Sequence, residues 1–174
     1  MTDNGTLTAI APPAFEQKII APAGAAEAVR ALPRPLVFTN GVFDVLHRGH
    51  VTYLAQARAQ GASLIVALNS DASTRRLNKG ADRPINPLQD RAAVIASLAA
   101  VDAVTWFEDD TPFALILALR PDVLIKGGDW KPDAIVGAAD VLGWGGTVHS
   151  IPFLHQKSTT ALLEVIRKNI NKNK

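Results

Sequence analysis

Residues 36–50 of the chain form the stretch LVFTNGVFDVLHRGH. It begins with the apolar run LVFTN, which is typical of a buried strand. It ends with two of the four histidines of the chain, His47 and His50, on either side of Gly49. The next residues, 51–60, have the pattern of a helix. The stretch therefore predicts a strand that turns into a helix, with two imidazoles at the turn.

Outward from this stretch, apolar strands alternate with helices. The predicted strands are 36–40, 63–69, 103–107, 122–128 and 145–153. The predicted helices are 51–60, 87–100, 111–120 and 158–170, with Gly61 placed to end the first and Thr111 to cap the third. Continuous apolar strands between helices favour a parallel sheet that is covered on both faces. The predicted fold class is α/β: a doubly wound, Rossmann-like, mainly parallel five-stranded sheet with helices on both faces.

The chain is long enough for one domain with a core that needs no disulfides. Residues 1–33 are rich in Ala and Pro and show no strand pattern, although 23–32 could form a short helix that Pro33 closes. We interpret residues 1–33 as an N-terminal extension that packs on a single domain, residues 34–174.

Composition excludes several classes of protein. The chain is 48% apolar and 20% charged, has a net charge of +2 with scattered basic residues, and contains no cysteine. No apolar run reaches the roughly 18 residues of a membrane span, and the N-terminus does not resemble a secretory signal. We therefore expect a cytoplasmic protein that binds neither membranes nor nucleic acid. Scattered cations suit small anionic substrates better.

The two histidines predict an anion site. In open α/β sheets ligands bind outside the carboxyl ends of the strands, which is where His47 and His50 lie. At positions i and i+3 they share one face of a helix start, where free N–H groups attract anions. Gly49 leaves room for a close approach. Because His149 and His155 belong to a distant segment, we expect no metal site made of protein ligands.

The motifs resemble a known superfamily. GVFDVLHRGH is similar to the H-x-G-H signature of the nucleotidyltransferases, and HQKSTTALL (155–163) resembles their second signature. Four further segments are together similar to the heptose 1-phosphate adenylyltransferases: NSDAS (69–73), RPINPLQDR (83–91), LIKGGDW (124–130) and GWGGTV (143–148). The resemblance spans about residues 34–168.

The resemblance implies a reaction. An oxygen of D-glycero-β-D-manno-heptose 1-phosphate would attack the α-phosphorus of ATP, giving ADP-heptose for lipopolysaccharide core biosynthesis and releasing pyrophosphate. It also implies Mg²⁺ bound mainly through substrate phosphates. A separate heptose kinase would act upstream, and the protein would form a homo-oligomer, for example a dimer.

The resemblance also implies roles for individual residues. Catalytic roles fall to His47, His50 and Lys126. Nucleotide and phosphate contacts fall to Thr39, Asn40, Gly41, Phe43, Gly49, Arg91, Gly127, Ser158, Thr159 and Thr160. Sugar-phosphate contacts fall to Asp44, Lys79 and Asp129. Asp44 could equally cap the helix that contains the histidines.

Two alternatives stay open. One is a transferase like the glycerol 3-phosphate cytidylyltransferases, since phosphate-handling motifs do not separate adenine from cytosine. The KGGDW segment favours heptose over this alternative. The other is a nucleotide-binding regulator without turnover. The presence of both H-x-G-H and STT elements argues against it.

Overall fold

The computed structural model describes residues 11–78, 80, 82–155, 162, 165, 166, 168 and 169. Its strands are β1 Leu36–Gly41, β2 Ser63–Asn69, β3 Ala103–Phe107, β4 Val123–Gly127 and β5 Thr147–Ile151. Its α-helices are α1 Pro22–Arg30, α2 Arg48–Arg58, α3 Asp71–Arg76, α4 Leu88–Ala96, α5 Phe113–Leu119 and α6 Ala138–Gly143. Short 3-10 helices cover Ala14–Lys18 and Pro132–Ala134.

Within the described residues, five strands form one fully parallel sheet in the order β3-β2-β1-β4-β5. Strand β1 is central, so that Phe38 lies beside Ile65 of β2 on one side and Leu124 of β4 on the other. The chain builds the sheet outward from β1 in one direction and then, from β4, in the other. This reversal is the switch point at which such sheets bind ligands. The predicted fold class is confirmed.

Apolar side chains cover both faces of the sheet, because successive residues of a strand point to opposite faces. Phe38 packs with buried residues of α1, α5 and α6. Its neighbour Val37 packs with buried residues of α2 and α4 on the other face. Strands β1 and β2 therefore carry consecutive buried apolar residues, at 36–38 and 64–68, rather than an alternating pattern, as expected for a doubly covered sheet.

The strands match the sequence-based prediction better than the helices do. Strands β2 and β3 have the predicted bounds. Helix α2 begins at Arg48, three residues earlier than predicted, and helix α5 is preceded by Pro112 rather than by Thr111 at the N-cap position. Helices α3 and α6 were not predicted. Both have six residues, which is too short for a helical period to be recognised.

The role assigned to Gly61 was also wrong. Helix α2 ends at Arg58 with Ala59 at the C-cap, so that Gly61 lies beyond the helix end. A Cβ atom at Gly61 would lie 2.5 Å from the carbonyl oxygen of Pro35. The glycine is required because the turn between α2 and β2 passes directly over the chain that enters β1.

The segment before β1 packs against the sheet. Lys18 donates from Nζ to the carbonyl oxygens of Leu98 (3.3 Å) and Val101 (2.7 Å). Ile19 forms a parallel bridge with Val104 of β3, and helix α1 contributes buried residues to the core. Of the predicted final helix, positions 162, 165, 166, 168 and 169 are described, and they are helical. No helix among the described residues is long and apolar enough to cross a membrane.

Candidate active site

A cavity of about 660 Å³ opens at the switch point, between the carboxyl ends of β1 and β4. Eight of the predicted site residues line it: Asn40, Gly41, Phe43, Asp44, His47, His50, Lys126 and Gly127. Residues from the loop before α4, from the turn before α5 and from the 3-10 helix Pro132–Ala134 complete the wall. The sheet thus brings together side chains that are more than 80 positions apart in sequence.

The two histidines form a stacked pair at the start of α2. His47 occupies the N-cap position, and its ring centroid lies 3.8 Å from that of His50, with an angle of 20° between the ring planes. The edge of Phe43 packs against His50, at 5.2 Å between centroids. Both imidazoles line the cavity. A ligand phosphate there would meet two ring nitrogens together with the free N–H groups of the helix start.

Burial lowers the pKa of His50 to about 4; the adjacent His47 adds to this shift, and a backbone hydrogen bond with Val45 opposes it. At neutral pH the ring is therefore uncharged. The neutral ring keeps one N–H group, which can donate a hydrogen bond to a phosphate oxygen. The pair thus presents polar N–H groups in a partly desolvated wall, where they interact more strongly than in water.

Glycines at the strand–helix turn make room for these rings. A Cβ atom at Gly41 would lie 2.9 Å from the ring of Phe43, whose backbone has a φ of 47°. A Cβ atom at Gly49 would lie 3.0 Å from the ring of His47 and 3.1 Å from the backbone oxygen of His155. A positive φ at a phenylalanine is strained and persists only where the surroundings impose it. In the structure Gly49 thus serves the packing of His47, and its predicted nucleotide contact stays a prediction.

Lys126 and Asn40 link the two strands of the switch point. Lys126 donates from Nζ to Oδ1 of Asn40, at 3.1 Å. Each residue stands near the carboxyl end of its strand, β4 for the lysine and β1 for the asparagine. A cationic side chain is therefore held across the floor of the cavity, at a position where a phosphate would be attracted.

Thr39 lies behind the cavity wall. It is fully buried, and its hydroxyl shares a hydrogen bond of 2.5 Å with the hydroxyl of Tyr53. Tyr53 itself lines the cavity and donates to the carbonyl oxygen of Ile125, at 3.4 Å. Burial raises the pKa of Tyr53 far above its ordinary value, with the hydrogen bond to Thr39 opposing the shift. Thr39 therefore contacts the site only through Tyr53 in this structure. Tyr53 was not among the residues predicted from the sequence.

Asp44 does not cap helix α2. Its side chain is fully buried, and Oδ2 accepts hydrogen bonds from Nε of Arg83 (2.6 Å) and from the backbone N–H of Ile85 (2.8 Å). Oδ1 accepts from the backbone N–H of Asn86, at 2.8 Å. These bonds use the carboxylate to fix the loop before α4, and the N-cap of α2 is His47. The predicted cap is therefore wrong, and the predicted sugar contact stays a prediction.

Arg91 is a buried structural residue in this structure, and its predicted phosphate contact stays a prediction. Its guanidinium donates to the carbonyl oxygens of Asn86 (3.0 Å), Val42 (2.8 Å) and Asn69 (2.9 Å), and to Oδ1 of Asp71 (2.6 Å). The side chain is fully buried and is not among the residues that line the cavity. Its guanidinium links three loops at the edge of the site through these hydrogen bonds.

The remaining predicted residues lie at the mouth or outside the described chain. Asp129 is exposed and does not line the cavity, so that its sugar contact stays a prediction. At Gly127 a Cβ atom would lie 2.7 Å from the ring of Phe153, so this glycine admits the ring into the wall. Lys79, Ser158, Thr159 and Thr160 fall outside the described residues.

Several residues of the site were missed. Arg83, Tyr53, Trp130 and Phe153 line the cavity. Trp130 is half exposed, and its indole N–H donates to the carbonyl oxygen of Gly127 at 3.2 Å. Arg83 could have been found in the sequence, because it opens RPINPLQDR, one of the segments that carry the resemblance. The aromatic residues carried no signal that separated them from core residues.

This arrangement places the chain among the H-x-G-H nucleotidyltransferases: the histidine pair starts the helix after the first strand, and the cavity lies at the switch point. Comparison with known proteins agrees. The model of the cytidylyltransferase-like family matches residues 38–167. The chain therefore belongs to the cytidylyltransferase-like family, and it is a nucleotidyltransferase.

Individual relatives show which members of the family the chain is similar to. The chain is 59% identical to a D-beta-D-heptose 1-phosphate adenylyltransferase from Bordetella bronchiseptica, over 88% of this chain and 96% of that protein. It is 56% identical to the bifunctional protein HldE of Hahella chejuensis over 80% of this chain, but it spans 29% of that longer relative.

Solved structures share the fold. A lipopolysaccharide core biosynthesis protein from Thermoplasma volcanium superposes with a TM-score of 0.57 at 30% identity, covering 70% of this chain and 98% of that one. A pantoate-beta-alanine ligase from Francisella tularensis has a TM-score of 0.56 at 16% identity, covering 81% of this chain and 68% of that one. The second likeness is one of fold alone.

Proposed function

We propose that the chain transfers AMP from ATP to D-glycero-β-D-manno-heptose 1-phosphate, producing ADP-heptose and pyrophosphate for the lipopolysaccharide core. The observation that carries the proposal is the 59% identity to a heptose 1-phosphate adenylyltransferase over 96% of that relative. A match along nearly the whole relative includes both the phosphate-handling segments and the segments that line the rest of the cavity.

The site geometry supports an in-line displacement at phosphorus. Such chemistry depends on positioning and on stabilising negative charge rather than on a covalent enzyme intermediate. His50 supplies a neutral donor at the start of α2, His47 lies stacked on it, and Lys126 supplies a cation from the neighbouring strand β4 of the switch point. We assign to these three side chains the binding of the triphosphate and the stabilisation of charge that develops at the α-phosphate.

Mg²⁺ accompanies the nucleotide in this proposal, and it neutralises phosphate charge when it is bound. Among the described residues no three histidine or acidic side chains come together, and the buried carboxylate Asp44 is already occupied by hydrogen bonds. This donor set suits a cation held chiefly by phosphate oxygens and water. No protein ligand is assigned to it.

The partners follow from the reaction. The substrates are ATP and a sugar 1-phosphate, and a cytoplasmic location agrees with the use of ATP. Association into a homo-oligomer such as a dimer stays a prediction. Cytidylyl transfer to glycerol 3-phosphate is the second candidate, because the matching family model is described as cytidylyltransferase-like.

The test is an assay of pyrophosphate release by the purified chain with Mg²⁺. We expect turnover with ATP and heptose 1-phosphate, and ADP-heptose as product by mass spectrometry. CTP with glycerol 3-phosphate should give no product. The variant His50→Asn should lose about 100-fold or more in kcat, as for removal of one preorganised donor. Turnover with CTP and glycerol 3-phosphate instead would reverse the assignment, and no turnover with either pair would favour a regulator.

A further inference from the structure

An arginine that the resemblance did not assign faces the cavity. Arg83 lies in the loop before α4, and its side chain is 7% exposed. Its interaction with Asp44 uses Nε, at 2.6 Å from Oδ2. Neither Nη nitrogen donates to any residue in the described part of the chain, and Arg83 lines the cavity. Since a guanidinium has five N–H donors and the contact with Asp44 uses the one on Nε, four remain for a ligand that enters the cavity.

Asp44 holds both the side chain of Arg83 and the loop that carries it. The carboxylate that binds Arg83 also accepts the backbone N–H groups of Ile85 and Asn86, both at 2.8 Å. The side-chain amide of Asn86 donates in return to the carbonyl oxygen of Asp44, at 2.6 Å. The loop that carries Arg83 is therefore tied to the β1–α2 turn, which carries the histidine pair. The guanidinium has a set position relative to His47 and His50.

Stability alone is a poor reason for this arrangement. Removing two charges from water costs several kcal/mol per ion, so that a buried ion pair is weak evidence of a stabilising role. Arg58 and Asp102 form a comparable contact, with Nε 2.8 Å from Oδ2, but they are about one-third exposed and do not line the cavity. The Asp44–Arg83 pair differs in being buried beside the site with its terminal nitrogens available.

We propose that Arg83 binds a phosphate group of a substrate through its Nη nitrogens and that Asp44 is the residue that positions it. The inference rests on the proposed function in that both substrates carry phosphates. An arginine is suited to the task because its planar fork matches two phosphate oxygens at once. Arg83 and Lys126 then approach the bound phosphates from the loop before α4 and from the end of β4.

The experiment measures binding and turnover for Arg83→Gln and Arg83→Lys. Calorimetric titrations use ATP, heptose 1-phosphate and inorganic phosphate as separate probes, and steady-state assays give KM and kcat for both substrates. The matched control is Arg58→Gln, which removes the same kind of Nε–carboxylate contact away from the cavity. Inorganic phosphate tests the site even if the sugar has been assigned wrongly.

For Arg83→Gln we expect the affinity for at least one probe to fall by about tenfold or more, with the matching KM raised. Arg83→Lys keeps the charge but loses the planar guanidinium, so its affinity should lie between those of Arg83→Gln and wild type. It also serves as the test if Arg83→Gln fails to fold. Asp44→Asn should raise the same KM. The substrate whose KM rises identifies the phosphate that is bound.

Affinities within about threefold of wild type for all three probes, in both Arg83 variants, would overturn the proposal. An equal loss of affinity in Arg58→Gln and Arg83→Gln would also overturn the proposal, since it would show a general effect on the fold. Failure of the wild type to use heptose 1-phosphate counts against the proposed function and leaves the ATP and inorganic phosphate titrations to decide on Arg83.

Discussion

At the scale of the residue, His50 shows how burial prepares a side chain for phosphate. Its ring is held between His47 and the edge of Phe43, and its pKa is lowered to about 4 mainly by burial. A neutral imidazole costs less to keep in this wall than an imidazolium next to a second histidine. Before an anion binds, the neutral ring of His50 therefore avoids repulsion between two positively charged imidazoles.

This lowered pKa predicts how stability depends on pH. The unfolded chain has a histidine pKa near 6.5, so that between about pH 6.5 and pH 4 it binds more protons than the folded chain. Stability therefore rises with pH in this window, and the contribution of neutral His50 is lost as the pH falls through it. Urea unfolding of wild type and His50→Gln at intervals from pH 7.5 to about 4 checks this. The wild type should lose more stability than the variant, and parallel losses would contradict the prediction.

Charged residues were the hardest to interpret from sequence. Asp44 and Arg91 follow or face a strand end, where a charge seems available to a ligand, yet both are buried in hydrogen bonds. Apart from Asn86, which lies five positions before Arg91, their partners lie 20 to 49 positions away, beyond the reach of any local pattern. The two histidines were easier because their spacing and the strand–helix turn are local features. The sequence thus indicated where the site lies, but not which of its charged residues are held in buried hydrogen bonds.

At the scale of the element, buried strands were predictable and short polar helices were not. Strand β2, SLIVALN, is a run of apolar side chains between breakers, and its bounds were predicted to the residue. Helix α2 opens with RGH, which has no apolar period, so that its first turn was missed. Helix α6 is needed to return the chain from β4 to a parallel β5, but its small residues carry little signal.

Gly61, in the turn between α2 and β2, and Gly143, at the end of α6, allow a matched pair of glycine variants. In Gly61→Ala the new Cβ would lie 2.5 Å from the carbonyl oxygen of Pro35 and 2.6 Å from a methyl of Val37. We expect a loss of about 1–3 kcal/mol in the free energy of unfolding, because backbone and core must shift. In Gly143→Ala, at the end of α6, nothing lies within 4 Å, and a gain of up to about 1 kcal/mol is expected.

Chemical denaturation measures both variants against wild type, and the kcat/KM of each should stay unchanged because neither glycine lines the cavity. Equal stabilities of the two variants would show that the turn has more freedom than its contacts indicate.

At the scale of the whole molecule, one edge of the sheet is covered by the segment before α1. Strand β3 ends the sheet order, and an uncovered edge strand is a template for association with other chains. Ile19 pairs with Val104, and the N–H of Ile20 donates to the carbonyl oxygen of Val104 at 2.8 Å. The segment lies at β3, two strands away from β1 and the switch point.

Removal of residues 1–21, which leaves α1 in place, should therefore destabilise the protein and expose β3. We expect Tm to fall by several degrees, since about 1 kcal/mol corresponds to about 2–4 °C in a chain of this size. Light scattering should detect concentration-dependent association beyond that of the full chain. Lys18→Met, which removes the bonds to Leu98 and Val101, should cause part of the loss in Tm, whereas exposed Lys131→Met should not. A truncated chain with wild-type Tm and unchanged association would mean that β3 needs no cover, and the segment would then contribute no more than its local contacts.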